Sequence, residues 1–115
     1  MITSKMHGVL DYVTVLIFAL SPSLFNLSET GATIAYGLAV IHLLMTVLTA
    51  FSMGLVKVIP FQLHGYVELI VGAVLAIIPW VVDFLSATDQ LYFSIMGGVI
   101  LVVWLLTTYK SPLKD

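Results

Sequence analysis

Two short stretches of this chain place a histidine and a carboxylate four residues apart in apolar surroundings: Met6-His7-Gly8-Val9-Leu10-Asp11 and Leu63-His64-Gly65-Tyr66-Val67-Glu68. At about 3.6 residues per turn, a helix stacks each pair on one face, one turn apart. Imidazole beside carboxylate suits more than one chemistry. Together His7, Asp11, His64 and Glu68 could chelate a divalent transition metal, zinc first and iron, manganese or nickel after it. A metal-activated water at an open position would make such a site catalytic. The same groups could instead relay protons or pass a small cation. Two histidines could also be the axial ligands of a haem, a poorer fit because Asp11 and Glu68 would then have no role.

His42 lies near the middle of a separate apolar run and is a candidate fifth ligand or an outer partner of the four. The plainer expectation for it is a hydrogen bond to Thr46, one turn away; with Thr46 and Thr49 it could form the deep wall of a polar cavity. A scaffold protein with no site is the blandest alternative.

Composition dictates what must position these residues. Of 115 residues, 61% are hydrophobic and 9% charged, and the mean hydropathy is +1.16. That excludes an ordinary soluble domain and makes the lipid bilayer the first partner. Cysteine is absent, which removes thiolate ligands, thiol catalysis and disulfides. The four basic residues are all lysines, so bidentate phosphate clamping and a nucleic-acid groove are unsupported. Neither a serine–histidine triad nor a glycine-rich phosphate loop can be read, and enzyme status stays open.

Four apolar runs, at about residues 6–25, 31–53, 61–82 and 90–109, approach the roughly 20 residues a bilayer core requires. The first is not read as a cleaved signal peptide, because Asp11 interrupts it and Pro22 directly follows the only small-residue cleavage site. Ser28 or Thr30 can cap the second helix with Glu29 in its first turn, Gly54 suits its C-cap, and Pro60 marks the start of the third. Ser86-Ala87-Thr88-Asp89 has capping-box form. The expectation is an all-α, four-helix transmembrane bundle in a single domain of residues 1–115. Gly31, Ala35 and Ala39, and Gly72 with Ala76, are small-residue stripes for helix packing, and Gly8 and Gly65 would let their helices approach closely.

Lys5, Lys57, Lys110 and Lys114 all fall on one side of such a bundle, and Glu29, Asp83 and Asp89 on the other. The positive-inside rule then places both termini in the cytoplasm. Trp80, Tyr92 and Tyr36 would lie toward the outer interface and Tyr109 at the inner one.

The halves also read as copies, at about residues 5–54 and 60–110. Shifting the first by 57 lays His7 on His64, Gly8 on Gly65, Asp11 on Glu68, Ala19 on Ala76 and Pro22 on Pro79. Two hairpins of equal orientation would be related by a pseudo-two-fold axis along the membrane normal, with the first and third helices touching where the His–carboxylate pairs lie. A homo-oligomer would be needed for a transporter built from so few helices. In this layout, with Ser21-Pro22-Ser23 and Ile78-Pro79-Trp80 at equivalent positions, the chain resembles the SPW repeat family of bacterial membrane proteins. The resemblance implies a four-helix fold in a bacterial plasma membrane and no particular activity.

Overall fold

The computed structural model describes residues 1–109; the lysines at 110 and 114 and the polar tail lie outside them. Helices α1 (Ser4–Leu24), α2 (Glu29–Val47), α3 (Phe61–Ile77) and α4 (Ala87–Leu106) form an all-α bundle, with a 3₁₀ turn, Ile78–Trp80, extending α3. All four are long and apolar enough to cross a membrane. α1 packs against α2 and α3 against α4, giving two hairpins. In the second hairpin the backbones nearly touch: a Cβ on Gly97 would lie 2.5 Å from the Ala76 nitrogen. Between the hairpins sit Phe18, Ala35, Ala39, Phe93, Met96 and Ile100.

Helix starts follow local chemistry. Thr3 caps α1 by accepting from Met6 N, and Ser28, not Thr30, caps α2 by accepting from Gly31 N. Ser86 and Asp89 form the reciprocal capping box at α4. Pro60 precedes α3 without a side-chain cap.

The second helix stops at Val47, well short of residue 53, and Gly54 is not its C-cap. Its last carbonyls are satisfied by the chain coming back: Leu55 and Val56 N–H donate to Val47 O, and Val58 and Ile59 N–H to Leu48 O. Two short parallel strands result, β1 (Thr49–Ala50) and β2 (Ile59–Pro60). Lys57 Nζ donates to Phe51 O (2.5 Å) and closes the intervening loop. Gly54 is needed there because a Cβ would meet Thr49 O at 1.9 Å. At the end of α4 the amino terminus plays the same part, as Ile2 N donates to Leu106 O and Ile2 O accepts from Thr108 N. Ile2 therefore pairs with Thr107 as Ile59 pairs with Thr49.

Lys5 and Lys57 share the end where these strands lie, here called the lysine end; Glu29, Asp83 and Asp89 mark the opposite, acidic end. Trp80 and Tyr36 are exposed as expected, whereas Tyr92 is buried in the core and belongs to no aromatic belt.

Candidate metal centre

Near the lysine end, α1 supplies His7 and Asp11, α2 His42, and α3 His64 and Glu68. The structure brings all five together. His7 and His64 are 0% exposed, Asp11 and Glu68 3%, and His42 7%. His42 reaches the group because α2 ends early: about 1.5 Å of rise per residue puts it only some 8 Å from the helix end, level with the other four. It is not deep in the span, and Thr46 does not hold its ring. Thr46 Oγ1 donates to the His42 backbone carbonyl (2.8 Å), leaving His42 Nε2 3.3 Å from Asp11 Oδ1 and 3.8 Å from Glu68 Oε1.

Each carboxylate spans both end histidines. His7 Nε2 lies 3.3 Å from Asp11 Oδ1 and 2.9 Å from Glu68 Oε2; His64 Nε2 lies 3.0 Å from Asp11 Oδ2 and 2.8 Å from Glu68 Oε1. α1 and α3 thus meet through side chains, with the His7 and His64 rings edge to face at 5.5 Å. The glycines do not mediate that meeting. A Cβ on Gly8 would strike Met53 and Phe51 after α2, and one on Gly65 would strike the Tyr109 ring after α4.

Threonines fix which imidazole nitrogen carries the proton. Thr49 Oγ1 donates its single hydrogen to Met45 O (2.5 Å), so its contact with His64 Nδ1 (2.7 Å) must be an N–H donated to the hydroxyl. Thr107 Oγ1 donates to Val103 O (2.5 Å) and likewise accepts from His7 Nδ1 (2.8 Å). In both neutral rings Nε2 is then the lone-pair nitrogen, and both Nε2 atoms point at carboxylate oxygens. His64 Nε2 is nevertheless in hydrogen-bond geometry with Glu68 Oε1 (2.8 Å), and His42 Nε2 with Asp11 Oδ1 (3.3 Å). His7 Nε2 and Asp11 Oδ2 have no hydrogen-bond partner despite these short separations, because the angles are wrong for one. Buried imidazoles and carboxylates converging in this way, with Nδ1 held from behind, could hold a metal ion.

An aromatic roof covers the lysine end of the cluster. Phe51 stacks on Phe61 at 5.2 Å, Phe61 meets Tyr109 at 4.7 Å, and Phe61 packs against both His7 and His64. Burial, with the Glu68 and Asp11 charges beneath, pushes the Tyr109 phenol above its ordinary pKa.

Ligand atoms of His7, Asp11, His64 and Glu68 all lie within 4.8 Å of one another. One ion at about 2.1 Å from each would set neighbouring ligands about 3.0 Å apart and opposite ones about 4.2 Å apart. The N–O separations of 2.8 to 3.3 Å are near the first figure but run to both oxygens of each carboxylate, and His42 stands to one side as a fifth donor.

Thr107 is the residue that sequence reasoning overlooked. A signal was present: Thr49-Ala50-Phe51 and Thr107-Thr108-Tyr109 are offset by 58, one more than the His–carboxylate motifs. In each, the threonine clamps the histidine of the other hairpin while the aromatic ring lies over the glycine of its own. No family model, curated protein or solved structure matches the chain.

Proposed function

We propose that this chain is a small integral membrane protein whose bundle holds one divalent transition-metal ion on His7, Asp11, His64, Glu68 and His42. The observation that carries this is a buried cluster whose ligand atoms lie within 4.8 Å of one another, with Nδ1 of both end histidines engaged by threonines and with His7 Nε2 and Asp11 Oδ2 left without partners. Two carboxylates and three neutral imidazoles bind a divalent ion with zero net charge, the least costly state in a low-dielectric interior. Structural zinc prefers four tetrahedral ligands, so a set of five nitrogen and oxygen donors favours iron or manganese, with zinc and nickel behind. Haem has no room, since the cavity beside the cluster is about 10 Å³.

Charge could also be balanced without metal by protonating His7 and His64 at Nε2. The His64 contacts allow this, as its Nε2 meets Glu68 Oε1 in hydrogen-bond geometry (2.8 Å), but His7 Nε2 makes no hydrogen bond although Glu68 Oε2 is 2.9 Å away. A proton relay is less well supported, because toward the acidic end the core next to the cluster is Phe18, Ala35, Phe93 and Met96, and the buried hydroxyls of Ser21 and Tyr92 lie beyond them.

The positive-inside rule supports a plasma membrane location with both termini cytoplasmic, which puts the centre in the cytoplasmic half. Reporter fusions at Ser28 and Ala87 should then read as exoplasmic and one at Lys57 as cytoplasmic. Matched contacts at Ile2 and Ile59, and at Thr49 and Thr107, support reading the hairpins as copies, as in the SPW repeat resemblance. Exposed leucine, valine and isoleucine faces suit lipid or a second copy of the chain.

Elemental analysis of gently purified protein should find one transition-metal ion per chain, and chelation should lower its melting temperature. Protein free of metal that gains no thermal stability from added iron, manganese, zinc or nickel would overturn the reading.

A further inference from the structure

Residual exposure of the cluster is not evenly spread. His7 and His64 have none, whereas Asp11, Glu68 and His42 keep a little, and those three line the 10 Å³ cavity with residues of α1 and α4. So small a space, open at its mouth, admits one or two heavy atoms of a ligand and nothing bulkier. From α1 come Leu10 and Thr14, and from α4 come Val99, Ile100 and Val103. Leu10 and Val99 are 37% and 50% exposed, so the mouth opens on the outer surface of the bundle, along the seam between α1 and α4.

Depth decides what that surface touches. Asp11 is seven residues into α1 and Val99 seven before the end of α4, or about 10 Å from the helix ends. In a hydrocarbon core about 30 Å thick that position faces acyl chains, not water. The aqueous side is shut by the roof of Phe51, Phe61 and Tyr109. Farther along the same seam Ile17, Phe25, Leu91 and Ile95, with Thr88 and Tyr92, border a largely apolar cavity of about 320 Å³.

Resting on the metal reading above, we infer that the ion keeps one open coordination position, beside His42, facing the bilayer between α1 and α4. It takes a small neutral diatomic ligand of the nitric oxide, dioxygen or carbon monoxide class that arrives dissolved in the lipid. Three features select that class. Size excludes anything with a side chain, a mouth in hydrocarbon excludes anions, and an iron or manganese ion supplies the electrons that bind a diatomic. The inference is one of binding, with no bond of the ligand broken.

The test uses full-length protein in phospholipid nanodiscs, loaded with iron(II) without oxygen and mixed with nitric oxide. Expected is the quartet-state electron paramagnetic resonance signal of an iron(II) nitrosyl. Val99→Phe, filling the mouth from a lipid-exposed position, should slow its formation on the order of tenfold while bound iron is unchanged. Val102→Phe, equally lipid-exposed but away from the cavity, should form it at the wild-type rate. Iron uptake with no nitrosyl signal, or a V99F rate equal to wild type, would overturn this inference and leave the metal reading intact. Failure to take up iron or any other transition metal overturns the metal reading, and this one with it.

Discussion

Buried carboxylates occur at both ends of the bundle, and they are solved in opposite ways. At the acidic end Asp89 is 0% exposed, yet it meets donors at every contact: Ser28 N at 2.9 Å, Ser28 Oγ, and Ser86 N at 3.0 Å. It joins the start of α2 to the start of α4, and a Cβ on Gly31 would run into it. At the lysine end Asp11 and Glu68 meet three imidazoles, two of which, His64 and His7, have Nδ1 engaged by Thr49 and Thr107. Burial alone does not distinguish the two. Hydrogen bonding does: Asp89 is satisfied by donors within the protein, whereas the lysine-end cluster leaves His7 Nε2 and Asp11 Oδ2 without partners, and under the proposed reading a cation between the ligands completes it.

The sharpest way to break this comparison is to remove one carboxylate or imidazole from each end. Glu68→Ala or His64→Ala should abolish stoichiometric metal binding, read by elemental analysis, while Asp89→Ala keeps the full metal content. Metal retained in both cluster variants would mean that the lysine-end carboxylates are a structural ion-pair group and no different in kind from Asp89.

Next in size is the threonine effect. Thr49→Val and Thr107→Val remove the acceptors that hold Nδ1–H, and loss of such outer partners lowers metal affinity about 10- to 100-fold. Serine at either position should restore most of it, because the hydroxyl is what acts. Competition with a fluorescent chelator measures both, and a valine variant with wild-type affinity would show that the tautomer is set by something else.

For Asp89→Ala the expected change is in stability, not metal. Three N–H and O–H donors lose their acceptor and two helices lose part of a cap, a cost of about 2 kcal/mol by denaturant titration in detergent. A cost near zero would mean that water reaches the acidic end freely.

The helices and the ligand types were legible in the sequence, and the reasons are physical. Apolar runs of bilayer length have few alternatives to spanning helices, and i,i+4 spacing fixes which side chains share a face. The same reasoning failed where the chain leaves the helix. Nothing in the apolar run beyond Val47 announces that α2 ends there, because its stop comes from residues 55–59 returning to cap it. That misjudged end placed His42 too deep and hid the role of Thr49. Thr107 escaped for a related reason: its partner His7 is 100 residues away, and only tertiary packing pairs them. The glycines misled in the opposite direction, as Gly8 and Gly65 admit a loop and a tyrosine ring and not each other's helices.

The smallest expected effect concerns the roof, where Tyr109 covers the lysine-end cluster. Its ring touches Gly65, Phe61 and His7, and its hydroxyl has no hydrogen-bond partner among the described residues. Tyr109→Phe keeps the ring and drops the hydroxyl, so metal content and neutral-pH stability should stay close to wild type. Alkaline pH separates the two proteins. Burial, reinforced by the charges of Glu68 and Asp11, holds the folded phenol above its ordinary pKa of about 10. In the unfolded chain the phenol ionises first, so as pH rises past that ordinary value wild type loses stability that Tyr109→Phe does not lose. The measurement is the difference in melting temperature between the two proteins, followed from neutral pH into the alkaline range. Parallel curves would mean that Tyr109 ionises as freely as an exposed phenol and that the roof over the centre is open to water.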